Sequence, residues 1–162
     1  MAIKQISPIH LDEGHLVANG ATVLGGQVVK LVANVTSGEN ELTPALYNDT
    51  TVPYGFCYKA SVAEPANNLY IPFNQYKAPL NRQSVILTKG ARAEFWNDGT
   101  GAVFEADVVN VVSGTPLYIS ANSLLTATPA TSNAGEAGAI QVAVVEKAPN
   151  AADDVLVARI EL

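Results

Sequence analysis

The sequence is poor in several things that commonly define a protein's chemistry. It holds a single cysteine, Cys57, in 162 residues, so no intrachain disulfide can brace it and stability has to come from an apolar core. Charge is scarce too: Asp, Glu, Lys and Arg make up 15% of the chain, and nine basic against fifteen acidic residues leave a net charge of -6. A chain this short of cations has no electrostatic footprint for nucleic acid or for an anionic lipid surface, and neither is expected as a partner. No apolar run approaches the ~20 residues that a membrane-spanning helix requires. The opening Met1-Ala2-Ile3-Lys4-Gln5-Ile6-Ser7-Pro8 lacks the continuous apolar stretch of a secretory signal. A soluble, unexported protein is the expectation. Both histidines fall in one segment, at His10 and His15. There is no phosphate loop, dinucleotide fingerprint or zinc-finger spacing, and no cofactor is expected.

What the chain does have is apolar residues, 48% of the total. That excludes intrinsic disorder and fits one domain with a sizeable core. The clearest pattern is in the last third. Leu117-Tyr118-Ile119, entered from Gly114-Thr115-Pro116, is followed by Ala139 to Val145 and then by Val155 to Leu162. Each run is short, rich in β-branched residues and bounded by Gly, Pro, Asn or Asp, which reads as strand, loop, strand, loop, strand. In the last run Leu156, Ala158, Ile160 and Leu162 alternate with Val155, Val157, Arg159 and Glu161, so one face is wholly apolar.

Earlier, Ala21 to Leu24 and Gln27 to Val35 flank Gly25-Gly26 and predict two strands around a tight turn. Ser37-Gly38-Glu39-Asn40 predicts another turn, and Leu42-Thr43-Pro44-Ala45 a short strand ended by proline. From Val52 to Ala60, Tyr54, Phe56 and Tyr58 share a parity and would line one face of a strand. Residues 61 to 84 carry three prolines and few strand signals, which predicts a long irregular loop. Val85 to Thr88 and Ala91 to Trp96 resume as strands, with Asp98-Gly99 before Val103-Phe104 as a hairpin signal. Residues 122 to 138, rich in small side chains, predict a flexible surface loop. No long helix is legible. The expected fold is all-β, a small antiparallel barrel or sandwich with an extended N-terminal arm and long irregular loops: residues 1–20 as the arm and 21–162 as a single β domain. The arm is interrupted by Pro8, Gly14 and Gly20 yet carries Ile3, Ile6, Ile9, Leu11, Leu16 and Val17. It has to lie on a surface, either its own domain's or a neighbouring subunit's sheet or groove.

Three segments echo each other in a fixed order. Gly26 to Leu31, Asn40 to Ala45 and Gly55 to Ala60 match Gly114 to Ile119, Leu124 to Pro129 and Val144 to Ala148. A glycine-entered strand, a Leu-Thr segment and a strand closing on Lys-Ala occur twice, which implies two related half-sheets around one core.

Candidate sites are few. His10-Leu11-Asp12-Glu13-Gly14-His15 gathers imidazoles and carboxylates, but Gly14 breaks helical presentation and the spacing matches no standard ligand set, so no metal is expected. Cys57 sits between Phe56 and Tyr58 with no histidine outside the arm, and reads as a structural thiol. Of Glu94, Asp98, Glu105 and Asp107, Asp98 belongs to a turn and the rest to solvated strand positions rather than to a glycosidase pair. No catalytic residue and no enzymatic activity is expected. Trp96 with Tyr70, Phe73 and Tyr76 would suit either a protein interface or sugar stacking.

The ordering of the glycine-entered strands Gly26 to Leu31 and Gly114 to Ile119, the Leu-Thr segments and the closing strand resembles bacteriophage head-decoration and capsid-stabilising (cement) proteins. The resemblance covers roughly residues 20 to 60 and 110 to 162, through a loose pattern rather than a signature motif. It implies a non-enzymatic virion protein made in the host cytoplasm and placed on the capsid exterior. It also implies self-association, commonly as a homotrimer, and binding to the major capsid protein at subunit junctions, often through an N-terminal arm. On that basis Ile3, Ile6, Pro8, Ile9 and Leu11 of the arm and Tyr70, Phe73 and Tyr76 of the loop are the expected partner contacts. The alternative is a carbohydrate- or receptor-binding module of a virion.

Overall fold

The computed structural model describes residues 3–7, 11–18, 20–35, 38–58, 61–62, 83–97, 102–130 and 133–162. The described residues form thirteen strands: β1 (Ile3–Ser7), β2 (Leu11–Val17), β3 (Thr22–Val23), β4 (Val28–Ala33), β5 (Asn40–Pro44), β6 (Gly55–Cys57), β7 (Ser61–Val62), β8 (Gln83–Leu87), β9 (Arg92–Phe95), β10 (Pro116–Ile119), β11 (Leu125–Thr126), β12 (Ala143–Lys147) and β13 (Leu156–Ile160). Among the described residues the only helical pieces are single 3-10 turns at Ala106–Val108 and Ala137–Ala139. The fold is all-β, as the patterning predicts.

Strands β2-β5-β4-β6-β8 close into a barrel, and β1-β9-β13-β12-β10-β11 form a six-stranded sheet. The alternation in β13 sets the core of the second sheet: Leu156, Ala158 and Ile160 are fully buried, while Arg159 is exposed. The β4–β5 hairpin forms around Gly38, whose φ of +74° turns the chain, with Ala33 opposite Asn40. Pro44 ends β5, as expected.

Three local expectations fail for physical reasons. Gly25-Gly26 does turn the chain, with Gln27 N–H donating to Leu24 O at 3.0 Å, but no hairpin follows. β3 pairs with β7, and β4 takes β5 and β6 as neighbours. Twist carries the chain around a barrel corner, which local turn chemistry does not encode. Asp98-Gly99 lies outside the described residues, and Val103-Phe104 does not pair back onto β9. Asn97 instead clamps the return, its Oδ1 accepting from Val103 N at 2.7 Å, and Phe104 bridges in parallel to Leu125. Finally, within 122–138, Leu125 and Ala137 are buried and Thr126 nearly so. Small side chains there serve close packing: a Cβ on Gly138 would lie 2.9 Å from Tyr47 O.

The echo in the sequence is an echo in the register. Lys30 pairs with Thr43 and Leu31 with Leu42; Tyr118 pairs with Thr126 and Ile119 with Leu125. On the other edge Val28 meets Phe56 and Val29 meets Gly55, just as Pro116 meets Val144 and Leu117 meets Ala143. Next come Cys57 with Ile86 and Val145 with Ala158, then Ile86 with Asp12 and Ala158 with Ala93. A parallel contact recurs as well: Val17 of β2 pairs with Leu42 and closes the first barrel, and Phe104, outside the named strands, makes a single parallel bridge to Leu125.

The backbone bonds at the turns match as well: Gly26 N–H donates to Cys57 O at 2.8 Å and Gly114 N–H to Val145 O at 2.7 Å. Each half encloses its own set of apolar side chains. Val17, Val29, Leu42, Cys57 and Ile86 fill the first barrel, and Phe104, Leu117, Leu125, Val145 and Ala158 hold the matching places behind the six-stranded sheet. The neighbour order β2-β8-β6-β4-β5 of the barrel is repeated as β9-β13-β12-β10-β11 in the sheet.

The halves meet through a face of the first. Val28, Phe56 and Leu87 point out of the first barrel and belong to the same buried cluster as Phe95, Val103 and Ile160. The Phe56 and Phe95 rings lie 5.5 Å apart at 59°, a tilted contact of the kind worth ~0.5–1.5 kcal/mol beyond the area it buries.

Candidate interaction surface

The segment expected as an arm lies along sheets of its own chain. Ile3 pairs with Phe95, Lys4 with Glu94 and Gln5 with Ala93, which places β1 at the end of the six-stranded sheet. Among the described residues no strand pairs with its outer edge. Leu11 opens β2, opposite Leu87. Ile3, Ile6 and Leu11 are thus brought into strands, whereas Pro8, Ile9, Tyr70, Phe73 and Tyr76 lie outside the described residues.

The groups weighed for chemistry are committed to architecture where they are described. Glu105 accepts from Ser120 Oγ at 2.6 Å and from Asn122 Nδ2 at 2.9 Å, tying the first 3-10 turn to the β10–β11 turn. Asp107 accepts from Thr126 Oγ1 at 2.6 Å and from Ala127 N at 3.2 Å. Both carboxylates hold the β10–β11 end of the six-stranded sheet. His15 presents its ring edge-on to Tyr54, centroids 5.4 Å apart. Cys57 is buried inside the first barrel. Trp96 is half-buried. Among the described residues no three His, Cys, Asp or Glu side chains converge as a metal site would require.

Other ions stitch loops to strands. Lys30 Nζ meets Asp49 Oδ1 at 2.5 Å, both largely covered, while Asp49 Oδ2 accepts from Leu46 N at 2.6 Å. Arg92 Nη2 meets Glu146 Oε2 at 2.6 Å. Lys147 pairs with Asp153, and that bond, with a second from Val155 N–H, holds the half-exposed Asp153 carboxyl below its ordinary range.

The residues that sequence reasoning passed over are apolar side chains standing in solvent. Val35 is 97% exposed, Val112 75% and Leu24 53%, with Val52 and Leu46 also outward. Such positions cost solvation unless something covers them. Leu24 and Val112 occupy the same place in the two halves, since Gln27 N–H donates to Leu24 O and Thr115 N–H to Val112 O. The signal was present in the sequence as an apolar residue two positions before a turning glycine, twice: Leu24-Gly25-Gly26 and Val112-Ser113-Gly114. It becomes readable only once the register shows the two turns to be equivalent.

No protein-family model matches the chain, and no curated protein matches it either.

Proposed function

We propose that this chain is a non-enzymatic structural protein of a phage virion, which sits on the capsid exterior and stabilises the assembled shell. In this reading it self-associates as a homotrimer and binds the major capsid protein at subunit junctions. The observation that carries the reading is the outward placement of Leu24, Val35, Val52 and Val112 on a body built from a barrel and a six-stranded sheet. Apolar side chains standing in solvent suit a surface that is covered in an assembly. The outer edge of β1, with no strand paired to it among the described residues, adds a place where a partner's strand can extend the sheet. Ile3 and Ile6 on that edge strand and Leu11 at the start of β2, with Pro8, Ile9, Tyr70, Phe73 and Tyr76, are the proposed contacts.

Such a protein works by mass action: whatever binds only the assembled shell stabilises it by that binding free energy, and no reacting group is needed. The test is cosedimentation of the purified chain with empty heads of the encoding phage, followed by thermal disruption of the decorated heads. Saturable binding and a raised disruption temperature are expected. Removing residues 1–9 should lower occupancy while leaving β2 to begin at Leu11. Failure of the full chain to sediment with heads, together with binding on a glycan array, would replace this reading with the carbohydrate-binding one.

A further inference from the structure

The contact between the two halves is made by surfaces that each half possesses. On the first half the giving surface is the Leu24 to Gln27 turn. It packs beside Val103 and the Asn122 to Leu124 tip of the β10–β11 turn, with Leu24 over the cleft between them. The fit is close, because a Cβ on Gly26 would stand 2.9 Å from Val103 Cγ1. On the second half the same turn is Val112 to Thr115. Its outer side is open among the described residues: Val112 is 75% exposed, and a Cβ on Gly114 would meet no atom within 4 Å.

The receiving surface has a counterpart too. The closing parallel pairs equate Phe104 with Val17, so Val103 corresponds to Leu16, and the β10–β11 tip corresponds to the tip of the β4–β5 hairpin. That hairpin is longer than its counterpart, and Val35 near its tip is 97% exposed, the most solvent-exposed large apolar side chain among the described residues. Thus both surfaces carry an uncovered apolar side chain: Val112 at the position equivalent to Leu24, and Val35 on the part of the hairpin that extends past the counterpart of Asn122 to Leu124.

We infer that copies of this chain associate head to tail by repeating their internal contact: the Val112 to Thr115 turn of one copy seats against Leu16 and the Val35 hairpin tip of the next. The two surfaces differ, so the contact is heterologous and closes into a ring or propagates, according to the rotation it imposes. The surrounding face is more polar than its internal version. Where the first half has Val28, Phe56 and Leu87, the second has Pro116, Val144 and Arg159. A surface that must stay soluble before assembly has to be of this kind. The inference rests on the self-associating part of the reading above and names its surface; shell binding is a separate matter.

The experiment uses the full chain. Native mass spectrometry and sedimentation velocity over a concentration series should show a species larger than one copy. Val112→Asp and Val35→Asp should each weaken its formation roughly tenfold or more, with circular dichroism and melting temperature unchanged, since both side chains stand in solvent. Mixing Val35→Cys with Val112→Cys under mild oxidation should give a disulfide-linked dimer of one of each, while buried Cys57 stays reduced. A wild-type chain that is monomeric throughout, an oligomer indifferent to both Asp variants, or dimers formed by Val35→Cys alone would each overturn the inference. Head-to-tail association with no binding to heads would leave it standing and remove the decoration reading instead.

Discussion

Gly26 and Gly114 offer a measurement that the molecule's own duplication makes possible. Both sit at the same place in their halves, with φ of +87° and +93°, and both donate their N–H to the strand across the turn, to Cys57 O and Val145 O. Replacing either by alanine forces a side chain into the left-handed region at a cost of roughly 1–2 kcal/mol. Gly114→Ala should cost about that and no more, because the new methyl enters open space. Gly26→Ala meets Val103 Cγ1 at 2.9 Å and Cγ2 at 3.3 Å, with Phe95 Cδ1 at 3.7 Å behind. Val103 is nearly buried and Phe95 completely so, leaving little room to yield, and overpacking of this kind adds ~1–3 kcal/mol. The backbone penalty cancels in the comparison, and the difference reports the stiffness of the contact between halves. Urea denaturation of both variants gives it directly; for a chain of this size each kcal/mol is also ~2–4 °C in melting temperature. Equal losses for the two variants would refute the tight seating of the first half's turn on the second, and with it the template for association between copies.

The same pairing of positions yields other tests. Thr43 and Thr126 are equivalent and both buried or nearly so, but Thr126 Oγ1 donates to Asp107 whereas Thr43 Oγ1 has no partner. Thr43→Val should therefore be neutral or stabilising and Thr126→Val destabilising by ~1–3 kcal/mol, read from denaturant midpoints; the opposite order would contradict the assigned bonding. Gly55→Ala puts a methyl 2.5 Å from Ile86 Cγ2 and 2.6 Å from the backbone oxygen of Leu87. It should cost ~3 kcal/mol or more, while Ala143→Gly at the matching position costs ~0.5–1 kcal/mol. Asp153 should titrate below an unfolded-chain aspartate in a carboxyl NMR experiment, because of the Lys147 bond first and the Val155 N–H bond second. Its folded value being the lower one, any stability it contributes is present above the unfolded value and fades as pH falls through the folded one; Lys147→Ala should raise the value, and an unchanged titration would show the pair to be idle.

The elements most legible in the sequence were those whose side chains alternate between core and solvent. β13 announced itself because Leu156, Ala158 and Ile160 share a face with nothing polar among them, and β5 because Pro44 punctuates it. The misread elements are those whose partners are decided at long range. Ala21 to Val35 has the composition of a hairpin, yet barrel closure gives β4 other neighbours, and no local pattern records that choice. In β6 the parity of Tyr54, Phe56 and Tyr58 suggested one face. The strand begins only at Gly55, so Tyr54 packs with the first barrel's interior while Phe56 and Tyr58 join the cluster between the halves.

The repeated pairing is legible in the echo of glycines and Leu-Thr because these residues have geometric roles, at the turns and in the paired register; Lys59-Ala60 of the echo lies outside the described residues. A turning glycine and a register-setting pair have to be kept wherever the design is reused, whereas outward side chains are free to change. That freedom explains the asymmetry between the halves. Phe56 and Leu87 became a covered face and are fully buried, while their equivalents Val144 and Arg159 are half-buried and exposed. Against that background Val35 and Val112, at 97% and 75% the most exposed large apolar side chains among the described residues, are the pair that the proposed contact would bring together between copies. Exchanging Val112 for threonine, which keeps the branched shape and adds a hydroxyl, should leave folding untouched and weaken association less than aspartate does. Equal effects of the two substitutions would mean that charge, rather than apolar burial, governs the contact.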